Sequence, residues 1–340
     1  MTTHISKVAV LGGGSFGTVL ANLVAGNGIS CTLWMRDEAR AAEVALTREN
    51  TSYFPNYPLD KRLVITADFD VAIESADLII MAVPSAAYDT VCQRLAKTLG
   101  HHVVIISTAK GIRSDGFRMM SEVIAEYLPK NPIGVLSGPN LAKEIADGQY
   151  TATLVASKDD SVIVAAQTAL ASSTFRVYAG DDPYGAELAG ALKNIYAIIS
   201  GIAGSMQLGQ NTVSMLITRS LAEMTRLAYE LGAEPMTFMG LAGVGDLFVT
   251  CTSPLSRNYR VGQALGEGKT LEQAVKEIGQ TAEGVKTLDT VYRLAQDRGV
   301  RMPLVEGLYR LIYKNAEISE IITSLMMAQQ ANDVEHKVKS

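Results

Sequence analysis

A few polar side chains stand in stretches that are otherwise apolar, and their types are those that move protons or hold anions. Lys193 sits in Ala189-Gly190-Ala191-Leu192-Lys193-Asn194-Ile195-Tyr196-Ala197, a largely small and apolar helical pattern. Burying an ammonium there costs free energy unless it is paired, and lowers its pKa toward the range useful for proton transfer. A lysine whose stem lies on the helix while its head reaches water would explain the same residue, and both readings stand. Asp246 is the lone charge in Gly240-Leu241-Ala242-Gly243-Val244-Gly245-Asp246-Leu247. An isolated buried carboxylate needs a cation, and Lys193 is the candidate. In Ser253-Pro254-Leu255-Ser256-Arg257-Asn258, Ser256 can cap a helix beginning near Asn258. A helix start presenting Ser, Arg and Asn suits an anion, although a plain N-cap beside an exposed arginine would look the same. Histidine offers less: His4 and His336 lie near the termini, and His101-His102 precede a strand. A His–carboxylate pair therefore has no good candidate, and lysine is the better acid/base.

Gly12-Gly13-Gly14-Ser15-Phe16-Gly17 holds the G-x-G-x-x-G pattern at Gly12, Gly14 and Gly17. Its position after the first apolar run and before a helical stretch is the context that marks a dinucleotide loop. Gly12 allows the tight turn, Gly14 lets the backbone approach a pyrophosphate, and Gly17 lets helix and strand pack closely. The helix start adds free N–H groups and a partial positive charge. Roughly two dozen residues past Gly12, where ribose is read, the second run ends in Trp34-Met35-Arg36-Asp37. An acid first at that place would choose NAD; Arg36 first favours the 2′-phosphate of NADP(H). Alternatively Arg36 is a solvated loop residue and Asp37 caps the next helix.

The elements that must position these residues fall into two textures. Up to about Tyr178, β-branched runs alternate with amphipathic stretches: Val8–Leu11, Cys31–Trp34, Leu63–Thr66, Leu78–Val83, Val103–Ser107, Ile133–Leu136, Thr151–Val155 and Phe175–Tyr178. Helical patterns such as Ala86–Leu99, Arg118–Tyr127 and Leu141–Ala146 lie between them. Continuous apolar strands alternating with helices predict a mostly parallel sheet covered on both faces. Thr108-Ala109-Lys110-Gly111 and Ser137-Gly138-Pro139-Asn140 then fall at the carboxyl ends of strands, where open α/β sheets bind ligands. Beyond Pro183 the spacing is helical throughout, in Ala186–Ser205, Thr212–Leu231, Leu271–Ile278, Glu283–Arg298 and Pro303–Lys314. The expectation is a Rossmann-type α/β domain over residues 1–183 and an all-helical substrate and catalytic domain over 184–340.

Composition narrows the class. The 30 Lys plus Arg against 35 Asp plus Glu give a net charge of −5, without the basic surplus of a nucleic-acid binder. No apolar run reaches the ~18 residues of a membrane span, and Lys7–Leu11 runs straight into glycines, so no signal peptide is expected. Cys31, Cys92 and Cys251 have no metal-ligand spacing and read as reduced, buried thiols of a cytoplasmic protein.

The blocks Gly12–Gly17, Thr108-Ala109-Lys110-Gly111, Ser137-Gly138-Pro139, Leu192-Lys193-Asn194 and Gly240–Asp246 occur in an order that resembles the bacterial NAD(P)-dependent glycerol-3-phosphate dehydrogenase family. The most specific likeness is Ser256-Arg257-Asn258 followed by Glu283-Gly284, and the blocks span nearly the whole chain. The resemblance implies a cytoplasmic homodimer that interconverts dihydroxyacetone phosphate and sn-glycerol 3-phosphate with NADPH or NADH, for glycerophospholipid synthesis. It implies Lys193 as proton donor and acceptor, and Lys110, Gly138, Asn140, Asp246, Ser256, Arg257 and Asn258 as further substrate contacts. It implies cofactor contacts from Ser15, Phe16, Arg36, Lys110, Ala142, Arg257, Thr281 and Glu283, beside the loop glycines Gly12, Gly14 and Gly17. Phe16, Asn140, Leu141 and Thr281 depart from the residues commoner in the family. Two rivals remain open: a dehydrogenase of the β-hydroxyacid type, with a carboxylate site instead of a phosphate site, and a non-catalytic dinucleotide sensor.

Overall fold

Side chains that alternate along buried strands build the first part of the molecule around one sheet. In the computed structural model, which describes residues 5–113, 115–278 and 283–327, β1 is Lys7–Leu11, β2 Ser30–Trp34, β3 Val64–Thr66, β4 Leu78–Met81 and β5 Val104–Ser107. β6 (Ile112–Arg113) and β7 (Arg118–Met119) pair only with each other, and β8 (Ile133–Ser137), β9 (Thr151–Ala156) and β10 (Phe175–Gly180) complete the strands. The sheet order is β10-β9-β8-β5-β4-β1-β2-β3. Its neighbours are parallel except β8 and β9, which run antiparallel through Leu136↔Val155. Period-two alternation sends Val8, Val10, Leu78, Ile80 and Ile106 to one apolar core and Ala9, Leu11, Ile79, Met81 and Ile105 to the other. Burial on both faces is why these strands read as continuous apolar runs. The mostly parallel α/β sheet expected from the sequence is the one observed.

Helices cover it: α1 (Ser15–Gly26), α2 (Glu38–Thr47), α3 (Phe69–Ile73), α4 (Tyr88–Thr98), α5 (Met120–Tyr127), α6 (Ala142–Ala146) and α7 (Asp160–Leu170). Arg118 and Met119, expected in a helix, instead close a small hairpin with Ile112 and Arg113. Phe117 turns that hairpin with φ 50°, and α5 starts only after it, where Glu122 accepts the N–H of Met119 at 2.7 Å.

By its contacts the chain divides into two units, Met1–Gly190 with Met239–Asp246, and Ala191–Phe238 with Leu247–Ser340. The second is helical: α8 (Pro183–Ser205, which begins in the first unit), α9 (Gln210–Glu230), α10 (Asp246–Thr252), α11 (Arg257–Gly266), α12 (Leu271–Ile278), α13 (Glu283–Arg298), α14 (Pro303–Lys314) and α15 (Ile318–Met326). α9 buries Ser220, Glu223, Met224, Leu227 and Ala228, one stripe of a 3.6-residue period. α8 and α11 touch backbone to backbone: a Cβ on Gly262 would lie 1.9 Å from the Ile198 carbonyl oxygen, and one on Gly201 2.0 Å from that of Tyr259. Among the described residues no helix is long and apolar enough to cross a membrane.

Candidate active site

The glycine loop is built by sterics. Gly12 has φ +123°, and a Cβ there would stand 2.5 Å from the Ala82 carbonyl oxygen, so no other residue fits. A Cβ on Gly17 would meet the Gly12 carbonyl oxygen at 2.0 Å, which is the close helix-to-loop approach the pattern requires. Gly14 is the N-cap of α1, and no side chain among the described residues caps it. The first intrahelical bond runs from the Thr18 N–H to Gly14 at 3.0 Å. The N–H groups of Ser15, Phe16 and Gly17 therefore lack helical acceptors. A Cβ on Gly14 would meet nothing within 4 Å, so a ligand can approach this backbone. An uncapped, open helix start with its positive dipole end fits a dinucleotide pyrophosphate.

At the end of β2, Arg36 and Asp37 are both exposed. Asp37 accepts the N–H of Arg40 at 2.9 Å and so caps α2, as one sequence alternative had it. That carboxylate is engaged by its own helix, while the guanidinium before it faces solvent.

A second cluster in the same unit joins residues far apart in sequence. The Thr108 N–H and Oγ1 both donate to the Met81 carbonyl, at 3.1 and 3.0 Å, pinning the loop after β5. That loop delivers Lys110, whose Nζ donates to the Asp246 carboxylate and to the Gly138 carbonyl at 3.4 Å. Asp246 is 1% exposed and Lys110's side chain 21%, so the pair is buried on the acid side only. Lys110 reaches Asp246 because the Gly240–Asp246 segment folds onto the sheet unit, with Ala242 packed on Ala156 and Ala186. Gly138, at φ +133°, turns the chain after β8. Asn140 donates to Thr153 Oγ1 at 2.9 Å, which holds its side chain against the sheet. The Asn140 Oδ1 and Ser137 Oγ atoms of this loop are buried without a hydrogen-bond partner among the described residues. Such orphaned polar atoms cost stability and mark a place prepared for something else.

In the helical unit, Lys193 is 6% exposed and donates from Nζ to Thr250 Oγ1 on α10 at 2.7 Å. Burial decides between its two sequence readings: the head group does not reach water freely. Thr250 was not singled out from the sequence, since a lone threonine in a helix gives no signal. One residue on, Asn194 accepts from Asn258 Nδ2 at 2.9 Å, and Asn258 Oδ1 accepts the N–H of Gly284 at 3.1 Å. Gly284 must be glycine for this, as its Cβ would lie 2.5 Å from the Asn194 carbonyl oxygen. Ser256 caps α11, accepting from the Tyr259 N–H at 3.3 Å. Arg257 follows it exposed at the helix start, and Glu283 opens α13 half-buried. Ala142 opens α6. Thr281, like His4 and His336, lies outside the described residues.

A dinucleotide-type loop on a doubly covered, mostly parallel sheet, followed by a helical unit with a buried lysine, defines a two-part nicotinamide-dependent dehydrogenase. Comparison with known proteins specifies which one. The family described as NAD-dependent glycerol-3-phosphate dehydrogenase matches through its N-terminal part over residues 7–163 and its C-terminal part over residues 182–323. The chain belongs to this family. Similar proteins include the glycerol-3-phosphate dehydrogenase [NAD(P)+] of Saccharophagus degradans, 52% identical over 96% of this chain and 92% of that one. The protein of the same name from Teredinibacter turnerae is 51% identical over 98% of each. The crystal structure of glycerol-3-phosphate dehydrogenase from Coxiella burnetii superposes with a TM-score of 0.90 at 37% identity, covering 95% of this chain and 99% of that one.

Proposed function

We propose that this chain catalyses reversible reduction of dihydroxyacetone phosphate to sn-glycerol 3-phosphate by NAD(P)H, supplying glycerophospholipid synthesis. The observation that carries the reading is Lys193, an ammonium 6% exposed and oriented by Thr250 in the helical unit of a chain whose other unit holds a dinucleotide loop. Nicotinamide, held by the glycine-loop unit, would supply hydride to C2 of the ketone. Lys193 stabilises the negative charge growing on the C2 oxygen and delivers the proton to it; in the reverse direction it takes that proton back. Thr250, accepting from Nζ, fixes the direction of the ammonium.

Lys110 adds a second positive charge, held by Asp246 and the Gly138 carbonyl, for the substrate and the coenzyme. Arg257, Ser256 and Asn258 at the start of α11 take the substrate phosphate, where a guanidinium and the positive end of the helix dipole favour a dianion. Gly138 and Asn140 complete the substrate contacts. Gly12, Gly14, Ser15, Phe16 and Gly17 hold the pyrophosphate, with Ala142, Thr281 and Glu283 as further coenzyme contacts. Arg36 takes the 2′-phosphate and so favours NADPH, Asp37 being committed to capping α2. The enzyme works in the cytoplasm as a homodimer.

The test is NADPH absorbance followed with dihydroxyacetone phosphate, with NADH in parallel. Rapid oxidation of NADPH, faster than of NADH at low coenzyme, is the expected result. Oxidation of neither coenzyme, with binding of both demonstrated, would overturn the substrate assignment.

A further inference from the structure

The turn after α2 holds a buried asparagine that the reading above leaves unused. Asn50 is 1% exposed, and its Nδ2 donates to the Gly13 carbonyl at 3.0 Å and to Thr18 Oγ1 at 2.8 Å. Because the Gly13 carbonyl can only accept, the atom facing it must be the amide nitrogen. The backbone carbonyl of Asn50 accepts the N–H groups of Tyr53 and Phe54, at 2.9 and 2.8 Å, which closes the turn that holds the side chain in place. One helical turn beyond Thr18, Asn22 donates to Tyr57 Oη at 2.8 Å and accepts the Asp60 N–H at 2.6 Å. The segment 50–60 is thus fastened along one face of α1, with Asn50 at the glycine loop.

A trans peptide unit directs its C=O and N–H to opposite sides. With the Gly13 carbonyl held by Asn50, the Gly14 N–H is turned away from the 50–60 segment. Gly14 is also the uncapped start of α1, open to approach. We propose that Asn50 is a positioning residue that fixes the Gly13–Gly14 peptide so that the start of α1 presents its N–H groups to the coenzyme pyrophosphate. This rests on the coenzyme reading above. Asn50 Oδ1 is buried without a hydrogen-bond partner among the described residues, so the side chain is held there by what its amide nitrogen donates to, not by full satisfaction of its own polar atoms.

The experiment titrates wild type, Asn50→Ala and the isosteric Asn50→Asp with NADPH and NADH by nucleotide fluorescence. ADP-ribose and adenosine 2′-monophosphate serve as competitors, and kcat and thermal midpoints are measured alongside. ADP-ribose keeps the pyrophosphate and the 2′-monophosphate lacks it. The expected result is a loss of about tenfold in affinity for NADPH, NADH and ADP-ribose by a common factor. The NADPH/NADH ratio, 2′-monophosphate binding and saturating kcat should stay within about twofold. Wild-type affinity in both variants, even with a lowered thermal midpoint, would overturn the positioning role and leave the coenzyme reading intact. Equal loss of 2′-monophosphate binding would reveal general collapse of the site and overturn it too. If Asn50→Ala does not fold, Asn50→Asp gives the same readouts. A wild-type chain that binds neither NADPH nor NADH would instead refute the coenzyme reading and, with it, this one.

Discussion

Lys193 and Arg36 answer different questions at the residue scale, and each can be removed alone. Lys193→Ala takes away both the proton and the charge at the C2 oxygen, so kcat should fall by about a thousandfold or more. Its partner Thr250 is polar and small, so the helix should persist and NADPH affinity should stay within about twofold. Steady-state rates beside a coenzyme titration check this; lost coenzyme binding would contradict it. Arg36→Ser removes a guanidinium that only the 2′-phosphate can use. The KM for NADPH should rise by about tenfold while that for NADH changes by less than about twofold. Equal changes in both would defeat the phosphate role. Polar residues in apolar surroundings were legible in the sequence, because burial of charge is costly whatever the fold. Not every partner was. A buried carboxylate at Asp246 demands a cation, but only the folded sheet brings up Lys110 from 136 positions away. Thr250 and Asn50 gave no signal at all, since their value lies wholly in what tertiary structure sets opposite them.

At the scale of elements, the contact of α8 with α11 decides whether the buried polar network of the helical unit can form. Asn258 reaches Asn194 at 2.9 Å only because Gly201 and Gly262 let the two helix backbones meet. Gly262→Ala would put a Cβ 1.9 Å from the Ile198 carbonyl oxygen, a backbone atom that cannot swing aside. The helices must separate, at a cost of about 1–3 kcal/mol or more. The thermal midpoint should drop by roughly 3–10 °C, and kcat/KM should fall by more than about tenfold as Asn194 and its neighbour Lys193 shift. Gly26→Ala, at a helical glycine whose Cβ would meet nothing within 4 Å, is the control and should change neither by much. Unchanged kinetics in a destabilised Gly262→Ala protein would separate packing from function. The strands were legible because burial on both faces leaves apolar runs. The β6–β7 hairpin was not, because two-residue strands carry no periodicity and Arg118 and Met119 fit a helix equally well. The reversed β9 was equally hidden, since an apolar run does not reveal its direction.

The molecule as a whole should lose stability as pH rises from about 4.5 toward neutrality, because each unit buries a carboxylate that caps a helix. In the sheet unit, Glu187 on α8 accepts both the N–H and Oγ of Ser121 in the first turn of α5, and burial pushes its pKa up to about 7. In the helical unit, Glu223 on α9 accepts the N–H groups of Leu304 and Val305 at the start of α14, at 2.7 and 3.4 Å, and the hydroxyl of Tyr196 at 3.3 Å. Burial outweighs those donors and raises its pKa also to about 7, from an ordinary 4.5. Between those two values the folded chain holds protons that the unfolded chain has released. Stability is therefore full below the unfolded pKa and declines as pH rises toward 7, levelling off beyond it. The two groups together amount to several kcal/mol, on the order of 3 each. Calorimetry between pH 5 and 8 should show a falling thermal midpoint. Glu187→Gln and Glu223→Gln each keep an acceptor for the helix N–H groups but cannot ionise, so each should flatten part of that fall and the double variant most of it. A wild-type midpoint that rises with pH across this window, or glutamine variants that keep the full slope, would show that the carboxylates are already ionised in the folded chain and that their helix caps offset the cost of burial.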